Sequence, residues 1–229
     1  MRQVMRAVVG VVVGLGLAGC AQSGGKPGMG VVPASKTVSI ASNPWFLAAT
    51  TGAAKDLEAA LANGADINAR ERSNRYTPLH TAAIAGNDQA VRFLLQHGAD
   101  PDIIDEDGRT ALMMAAHYGR SNTSLTLAQS KANLELRDRD QQTALMFAAR
   151  RGQIDAVRAM ITRGVQLDVQ QESGMTALMY AARDGQLTVV RVLKDAGASA
   201  SATDRKGRSA LALAQAKGHV EIARILSGS

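Results

Sequence analysis

The sequence predicts an all-α repeat solenoid, a stack of short helix pairs joined by loops, on three observations. One is a threonine that recurs every 33 residues, at Thr77, Thr110, Thr143 and Thr176, with Ser209 continuing the series. Another is a glycine with the same period, at Gly86, Gly119, Gly152, Gly185 and Gly218. The third is a composition with 46% hydrophobic but only 3% aromatic residues. Since aromatic side chains usually supply much of a core, Ala and Leu must do so here, which suits thin, closely packed helices.

Each period carries the signals of two helices. The threonine side chain can accept a hydrogen bond at a helix start, and Pro78 suits the first helical turn. The glycine can adopt the positive φ that ends a helix. The second helix has apolar residues at helical spacing, as at Val91, Leu94 and Leu95. A single helix pair cannot bury its apolar face alone, so the units must stack.

The residues within each period resemble the ankyrin repeat. Thr77-Pro78-Leu79-His80 is followed by Ala82-Ala83, and the next three units begin Thr-Ala-Leu-Met and also carry an Ala-Ala pair. The resemblance covers residues 43–229, about four-fifths of the chain, and implies helix pairs joined by β-hairpin loops. We count six units, the first and last being caps, at approximately 44–74, 75–107, 108–140, 141–173, 174–206 and 207–229.

The second helix of the third unit departs from the pattern. Ser124 stands where Val91 and Val157 stand in other units, and Lys131 replaces the terminal glycine. Because Ser, Asn and Thr compete with a helix for backbone hydrogen bonds, we predict a soft segment at 121–130. It is interpreted as a weak repeat in preference to a functional hinge, and both readings stay open.

The first nineteen residues have the order of a secretory signal peptide. A basic start is followed by the apolar run Ala7–Ala18, broken by glycines. Leu17-Ala18-Gly19-Cys20 resembles the bacterial lipobox, which implies cleavage before Cys20, acylation of its sulfur and amine, and palmitate-like anchoring. Ala21 rather than Asp at the next position favours the outer over the inner membrane, facing the periplasm. The alternative is a signal peptide without lipidation.

Residues 20–43 are rich in Gly, Ser, Pro and Lys and show no periodicity. We interpret them as a flexible linker that reaches on the order of 25 Å, or alternatively as a leader without functional length. Cleavage would remove Arg2 and Arg6, so the net charge falls from +6 to +4, with 24 basic against 20 acidic residues. With so few aromatic residues, this mild charge argues against a nucleic-acid binder.

Sequence motifs for catalysis or metal binding are missing, so we predict a non-enzyme without metal or cofactor. The four histidines form no pair at helical spacing, Cys20 is the sole cysteine, and neither a Gly-x-Ser-x-Gly elbow nor a phosphate-binding glycine loop occurs. The acidic runs at 105–108 and 138–140 are interpreted as turns rather than calcium loops. Met113, Met146 and Met179 are interpreted as core residues in preference to an oxidation sensor.

The ankyrin resemblance implies a concave binding face, formed by the ends of the first helices and by the hairpin tips. Carried over by position, the helix residues are Ile84, His117, Tyr118, Arg150, Arg151, Arg183, Asp184 and Lys217. The tip residues are Arg72, Asn74, Asp105, Asp107, Arg137, Arg139, Glu172, Arg205 and Lys206. Tyr and Arg dominate interface hot spots, and the basic centre favours an acidic partner. The alternative is that these are ordinary solvated positions.

The predicted function is a lipid-anchored, periplasm-facing scaffold that binds a protein partner, as a monomer and in a one-to-one complex. The resemblance to exported bacterial ankyrin proteins associated with catalase implies a role in oxidative-stress defence, by analogy alone. Two alternatives remain open: an immunity protein that neutralises a periplasmic toxin, and a structural adaptor of the envelope.

Overall fold

The computed structural model describes residues 43–228. The predicted signal peptide and Cys20 lie outside these described residues, as does the linker except Asn43. Within them, the chain forms twelve α-helices that follow one another as six pairs. Their bounds are α1 Pro44–Thr51, α2 Ala54–Ala62, α3 Pro78–Ala85, α4 Asp88–Gln96, α5 Ala111–His117, α6 Ser121–Gln129, α7 Ala144–Arg150, α8 Ile154–Thr162, α9 Ala177–Arg183, α10 Leu187–Asp195, α11 Ala210–Ala216 and α12 Val220–Ser227.

The pairs stack in two layers, which confirms the predicted helical solenoid. Each odd-numbered helix packs on the next odd-numbered helix, and the even-numbered helices pack on one another in the same way. The Ala-Ala pairs are buried and let the first helices approach closely. The predicted core role of the methionines is confirmed, since Met113, Met146 and Met179 are at most 2% exposed.

The recurring threonine caps the first helices, as predicted. The hydroxyls of Thr77, Thr110 and Thr176 each accept the backbone N–H three residues on at 3.3 Å, although Thr143 makes no such bond. His80 completes the first cap: its Nδ1 accepts the Thr77 N–H at 3.2 Å, and its Nε2 donates to the Arg109 carbonyl at 3.0 Å. This histidine therefore links the start of its own helix to the loop of the next unit.

The residue after each helix-ending glycine reaches back to a carbonyl of the preceding unit. Arg120 Nε donates to the Ile84 carbonyl at 2.8 Å, and Gln186 Nε2 to the Arg150 carbonyl at 3.3 Å. We call these contacts backward hydrogen bonds. A Cβ on Gly152, whose φ is +69°, would lie 2.3 Å from Gln186 Oε1. The glycine is therefore needed both for its positive φ and for the close approach of the next unit.

The loops correct one expectation. The resemblance implied β-hairpins, but residues 43–228 contain no strand, and Thr203 and Ser209 form an isolated bridge. Buried aspartates hold the turns instead, because a carboxylate can accept several backbone N–H groups at once. Asp105 Oδ1 accepts the N–H groups of Asp107 and Arg109 at 2.9 and 2.8 Å. The turn interpretation of these acidic runs is confirmed.

The third unit forms a complete second helix but ends it differently. Ser130 is extended, and its hydroxyl donates to the Leu127 carbonyl at 2.7 Å. Arg163 of the next unit donates to the carbonyls of Ala128 and Ala132 at 3.0 and 2.9 Å, and so satisfies acceptors that the missing glycine turn leaves open.

Buried polar atoms without a partner gather at this same place. Within residues 43–228, three buried side-chain atoms lack a hydrogen bond: Thr123 Oγ1, Ser124 Oγ and Gln153 Oε1. The first two lie on α6, and Gln153 precedes α8, which packs on α6. Such atoms lose hydration without compensation. The soft segment stays a prediction, and these atoms supply its physical cause.

Candidate protein-binding surface

Tyr180 contacts two arginines and two glutamines on the predicted binding face. Its buried ring lies beneath two guanidinium groups, with the Arg183 carbon at 4.9 Å and the Arg150 carbon at 5.5 Å from the ring centroid. Its hydroxyl accepts the side-chain amides of Gln142 and Gln171 at 2.9 and 3.0 Å. Cation–π contacts of this kind favour fixed guanidinium positions, so both arginines are oriented before any partner arrives.

Asp184 joins the same two arginines. Arg183 bonds its carboxylate through Nε at 2.7 Å and Nη2 at 3.0 Å, and Arg150 Nε lies 3.5 Å from Asp184 Oδ2. Burial acts to raise the pKa of Asp184, but the hydrogen bond from Arg183 and the two positive charges outweigh it, so the pKa lies below its ordinary value. The carboxylate therefore stays ionised and neutralises one of the two arginines.

A second group lies one unit earlier and consists of neutral aromatic rings beside an arginine. His117 is half-buried and makes edge contacts with Tyr118 and Phe147, at centroid distances of 5.2 and 5.5 Å. Arg151 Nε donates to the His117 carbonyl at 2.9 Å. Burial, together with neighbouring arginine charges, lowers the pKa of His117 to about 4. The imidazole is therefore neutral at physiological pH, and Tyr118 beside it is exposed.

Most of the predicted helix residues on this face lie together. We call this set the central patch; it comprises His117, Tyr118, Arg150, Arg151, Arg183 and Asp184. Three arginines against one aspartate leave it a net charge of +2, with His117 neutral. The Tyr180 ring lies beneath Arg150 and Arg183. The arrangement offers guanidinium groups to carboxylates, with an apolar floor between them.

Two predicted binding residues are corrected by their burial. Ile84 is 8% exposed, and its backbone carbonyl accepts a hydrogen bond from Arg120 Nε. Asp105 is 3% exposed because its carboxylate holds its own turn. The other positions are at least partly exposed, and their role in binding stays a prediction; they include Lys217, Arg72, Asn74, Asp107, Arg137, Arg139, Glu172, Arg205 and Lys206.

The sequence reasoning missed Tyr180 and Phe147. Both stand four residues after the repeat threonine, a column that otherwise reads Thr81, Met114 and Leu213. Arg109 lies over Phe147 at 5.8 Å, much as Arg150 lies over Tyr180. A comparison along that column would have shown aromatic residues in two consecutive units, each followed after three residues by Arg.

The comparison with known families decides the identity of the fold. A family model described as ankyrin repeats, in three copies, matches residues 45–138, 124–204 and 145–229. The chain belongs to the ankyrin repeat family. As an ankyrin-repeat protein it is a protein–protein interaction scaffold, and this fold is typically a non-catalytic binding module.

Similar proteins share only the ankyrin repeats with this chain. A protein of Arabidopsis thaliana is 42% identical over 81 residues, 34% of this chain and 22% of the relative. The 2-5A-dependent ribonuclease of Homo sapiens is 39% identical over 59 residues, 26% of this chain and 8% of its own length. The E3 ubiquitin-protein ligase hecd-1 of Caenorhabditis elegans is 47% identical over 49 residues, which are 21% of this chain and 2% of the relative. The chain thus spans less than a quarter of these relatives, and the named activities are theirs.

Two further findings concern the described part of the ankyrin domain. Among the helices of residues 43–228, none is long and apolar enough to cross a membrane. In the same range, no group of three or more His, Cys, Asp or Glu side chains is placed to hold a metal ion.

Proposed function

We propose that this ankyrin-repeat protein binds an acidic segment of a partner protein through the central patch, while a lipid on Cys20 anchors it to the bacterial envelope on the periplasmic side. The observation that carries the binding proposal is the fixed arrangement of Arg150 and Arg183 over the Tyr180 ring. Arginines that are already oriented lose less conformational entropy on binding than free ones do.

The charge balance of the patch supports an acidic rather than a basic partner. Asp184 is already engaged by Arg183 and Arg150, whereas the Arg151 guanidinium bonds only a backbone carbonyl and has no ion pair within residues 43–228. An incoming carboxylate would therefore meet uncompensated positive charge, and the exposed Tyr118 ring beside it would add apolar contact area.

A capture experiment tests the site. Replacing Tyr118, Arg150 and Arg183 together by alanine should weaken capture of the partner from an envelope extract by at least about tenfold, because hot-spot residues each contribute about 1–2 kcal/mol or more. Arg158→Ala with Arg191→Ala is the matched control, since both arginines are exposed on the second-helix layer. Equal capture by the triple variant and the control would refute the assignment of the site.

The anchoring part of the proposal is supported by the lipobox-like residues alone. With Cys20→Ser, we expect the protein to lose acyl labelling and to leave the membrane fraction, because each buried methylene contributes about 0.8 kcal/mol to anchoring. Cys20→Ser protein that still carries label or still sediments with outer membranes would contradict lipidation at this residue.

A role in oxidative-stress defence extends the proposal and is supported by family analogy. A strain that lacks the protein should survive peroxide less well and retain less catalase activity. Complementation with the Tyr118, Arg150 and Arg183 triple variant should fail if this role depends on partner binding. Unchanged survival and catalase activity in the deletion strain would remove this extension without affecting the binding site.

A further inference from the structure

A cleft of about 570 Å³ lies among the tips of three consecutive loops. The backbone joins these tips one to the next: Glu172 N donates to the Asp140 carbonyl at 3.1 Å, and Arg205 N donates to the Ser173 carbonyl at 3.0 Å. The walls are therefore held in register by main-chain bonds. A volume of this size matches the range of small-ligand and peptide side-chain sites.

The walls of the cleft carry opposite charges. Asp140 and Glu172 form an acidic wall on the first two tips, and Arg205 and Lys206 form a basic wall on the third. Within the described residues, none of these four side chains has an ion pair. By contrast, Arg208 at the cleft is paired with the buried Asp204 at 2.7 Å. The four outer charges are thus available to an occupant.

The floor of the cleft connects it to the central patch. Gln142 and Gln171 line the cleft, and both donate to the Tyr180 hydroxyl. The ring of the same tyrosine lies beneath Arg150 and Arg183. One side chain therefore contributes to both surfaces, and an extended segment bound at the patch would continue into the cleft.

We propose that the cleft binds a basic side chain of the partner segment against Asp140 and Glu172, and a neighbouring acidic side chain against Arg205 and Lys206. This inference rests on the proposed function, because it describes the continuation of the segment that the central patch binds. It requires a segment of mixed charge, whereas the patch alone selects only acidic residues. The cleft thus determines specificity beyond the general preference for acid.

The geometry of the stack sets the spacing of the two charges. Neighbouring units of packed helices lie about 10 Å apart, and an extended chain advances about 3.3 Å per residue. The basic and acidic residues of the segment should therefore stand about three positions apart. A segment that crosses three units and also reaches the patch needs about ten to twelve residues.

Selection from a phage library of random peptides of about twelve residues tests the inference on the full chain in detergent. The wild-type chain should enrich acidic peptides that carry one basic residue about three positions from an acidic one. The Asp140→Asn, Glu172→Gln variant should lose the preference for the basic residue and bind the enriched peptides about fivefold more weakly. Asp155→Asn with Arg158→Gln, which removes two exposed charges from α8, should select as the wild type does.

The outcomes separate the two proposals. Acidic peptides without a basic residue, selected equally by the wild type and the cleft variant, would overturn the cleft inference and leave the proposed function standing. No enrichment over the Tyr118, Arg150 and Arg183 triple variant would overturn both. Reversing both walls together, with Asp140→Lys, Glu172→Lys, Arg205→Glu and Lys206→Glu, gives an independent check, since this variant should select peptides in which the positions of the two charges are exchanged.

Discussion

At the junction between the fourth and fifth units, every buried side-chain nitrogen and oxygen of the described residues has a hydrogen-bond partner. At the junction between the third and fourth units, three buried side-chain oxygens have none. At the first, Gln186 makes its backward hydrogen bond against Gly152, and Tyr180 accepts two amide bonds. At the second, Gln153 also donates backward, to the Ala116 carbonyl at 3.4 Å, but its Oε1 has no partner, and nothing lies within 4 Å of a Cβ built on Gly119.

The difference shows that units of identical length can form interfaces whose buried polar groups are unequally hydrogen-bonded. In a solenoid, stability is approximately a sum of unit and nearest-neighbour terms, so one poor junction weakens the stack locally. The central patch crosses both junctions, with His117 on the third unit, Arg150 on the fourth and Arg183 on the fifth. Opening at the weaker junction would move His117 and Tyr118 away from the arginines, so we expect it to weaken the proposed binding at the central patch.

The largest expected effect compares the two glycines directly. Gly152→Ala should lower the free energy of unfolding by about 2–3 kcal/mol, because it places a Cβ at positive φ and displaces Gln186. Gly119→Ala has the same φ penalty but open space around it, so we expect about 1 kcal/mol. Urea unfolding of both variants measures the difference. Equal losses would show that the backward hydrogen bond contributes nothing at the better junction.

The next effect is a repair of the weaker junction. Ser124→Val should raise the free energy of unfolding by about 1–2 kcal/mol, since it removes an unsatisfied hydroxyl and restores the residue type of Val91 and Val157. Val157→Ser is the matched control and should destabilise the chain. Denaturant titration gives both values, and a Ser124→Val variant no more stable than the wild type would mean that the hydroxyl has a partner.

Local opening gives a smaller effect. Amide hydrogen exchange in residues 121–130 should be several-fold faster than in residues 187–195, which corresponds to an opening free energy about 1 kcal/mol lower. The contrast should shrink in Ser124→Val. Equal protection of the two segments in the wild type would exclude both the weak-repeat and the hinge interpretations.

Much of the fold was predictable because each unit repeats the same local chemistry. The threonine column gives the caps, the glycine column gives the helix ends, and Met146 at the motif position predicts a core residue. The departure at Ser124 was also visible by comparison along its column. These features depend on interactions within one unit or between identical positions of adjacent units.

The features that the sequence did not predict depend mostly on contacts between residues far apart in the chain that occupy different positions of the repeat. Tyr180 is fixed by Gln142, 38 residues away, and no local pattern marks that pair. Ile84 was expected at the surface by position, yet its side chain is buried in this stack. Asp105 failed for a local reason instead: its carboxylate accepts the backbone N–H groups of Asp107 and Arg109 within the same turn, which buries a residue that was assigned to an exposed tip.

The smallest effect is the pH dependence of the weaker junction. Burial and nearby arginines lower the pKa of His117 to about 4, below the ordinary value of 6.5, so between these values the unfolded chain binds more protons than the folded one. The contribution of neutral His117 to the free energy of unfolding is therefore fully present above pH 6.5 and is lost as the pH decreases toward 4. We expect about 1 kcal/mol of this loss by pH 5 to come from His117, because solvent screens part of the effect.

His80 contributes to the same pH window, since burial also lowers its pKa to about 4. His117→Gln should therefore reduce the acid destabilisation without abolishing it, whereas the His80 contribution should persist. Protonated His117 would be repelled by Arg109, Arg150 and Arg151. This repulsion would weaken the edge contact that His117 makes with Phe147 across the weaker junction. Denaturant unfolding of His117→Gln and wild type at pH 7 and 5 measures this. An identical pH dependence would show that His117 is already solvated and that the junction does not sense its charge.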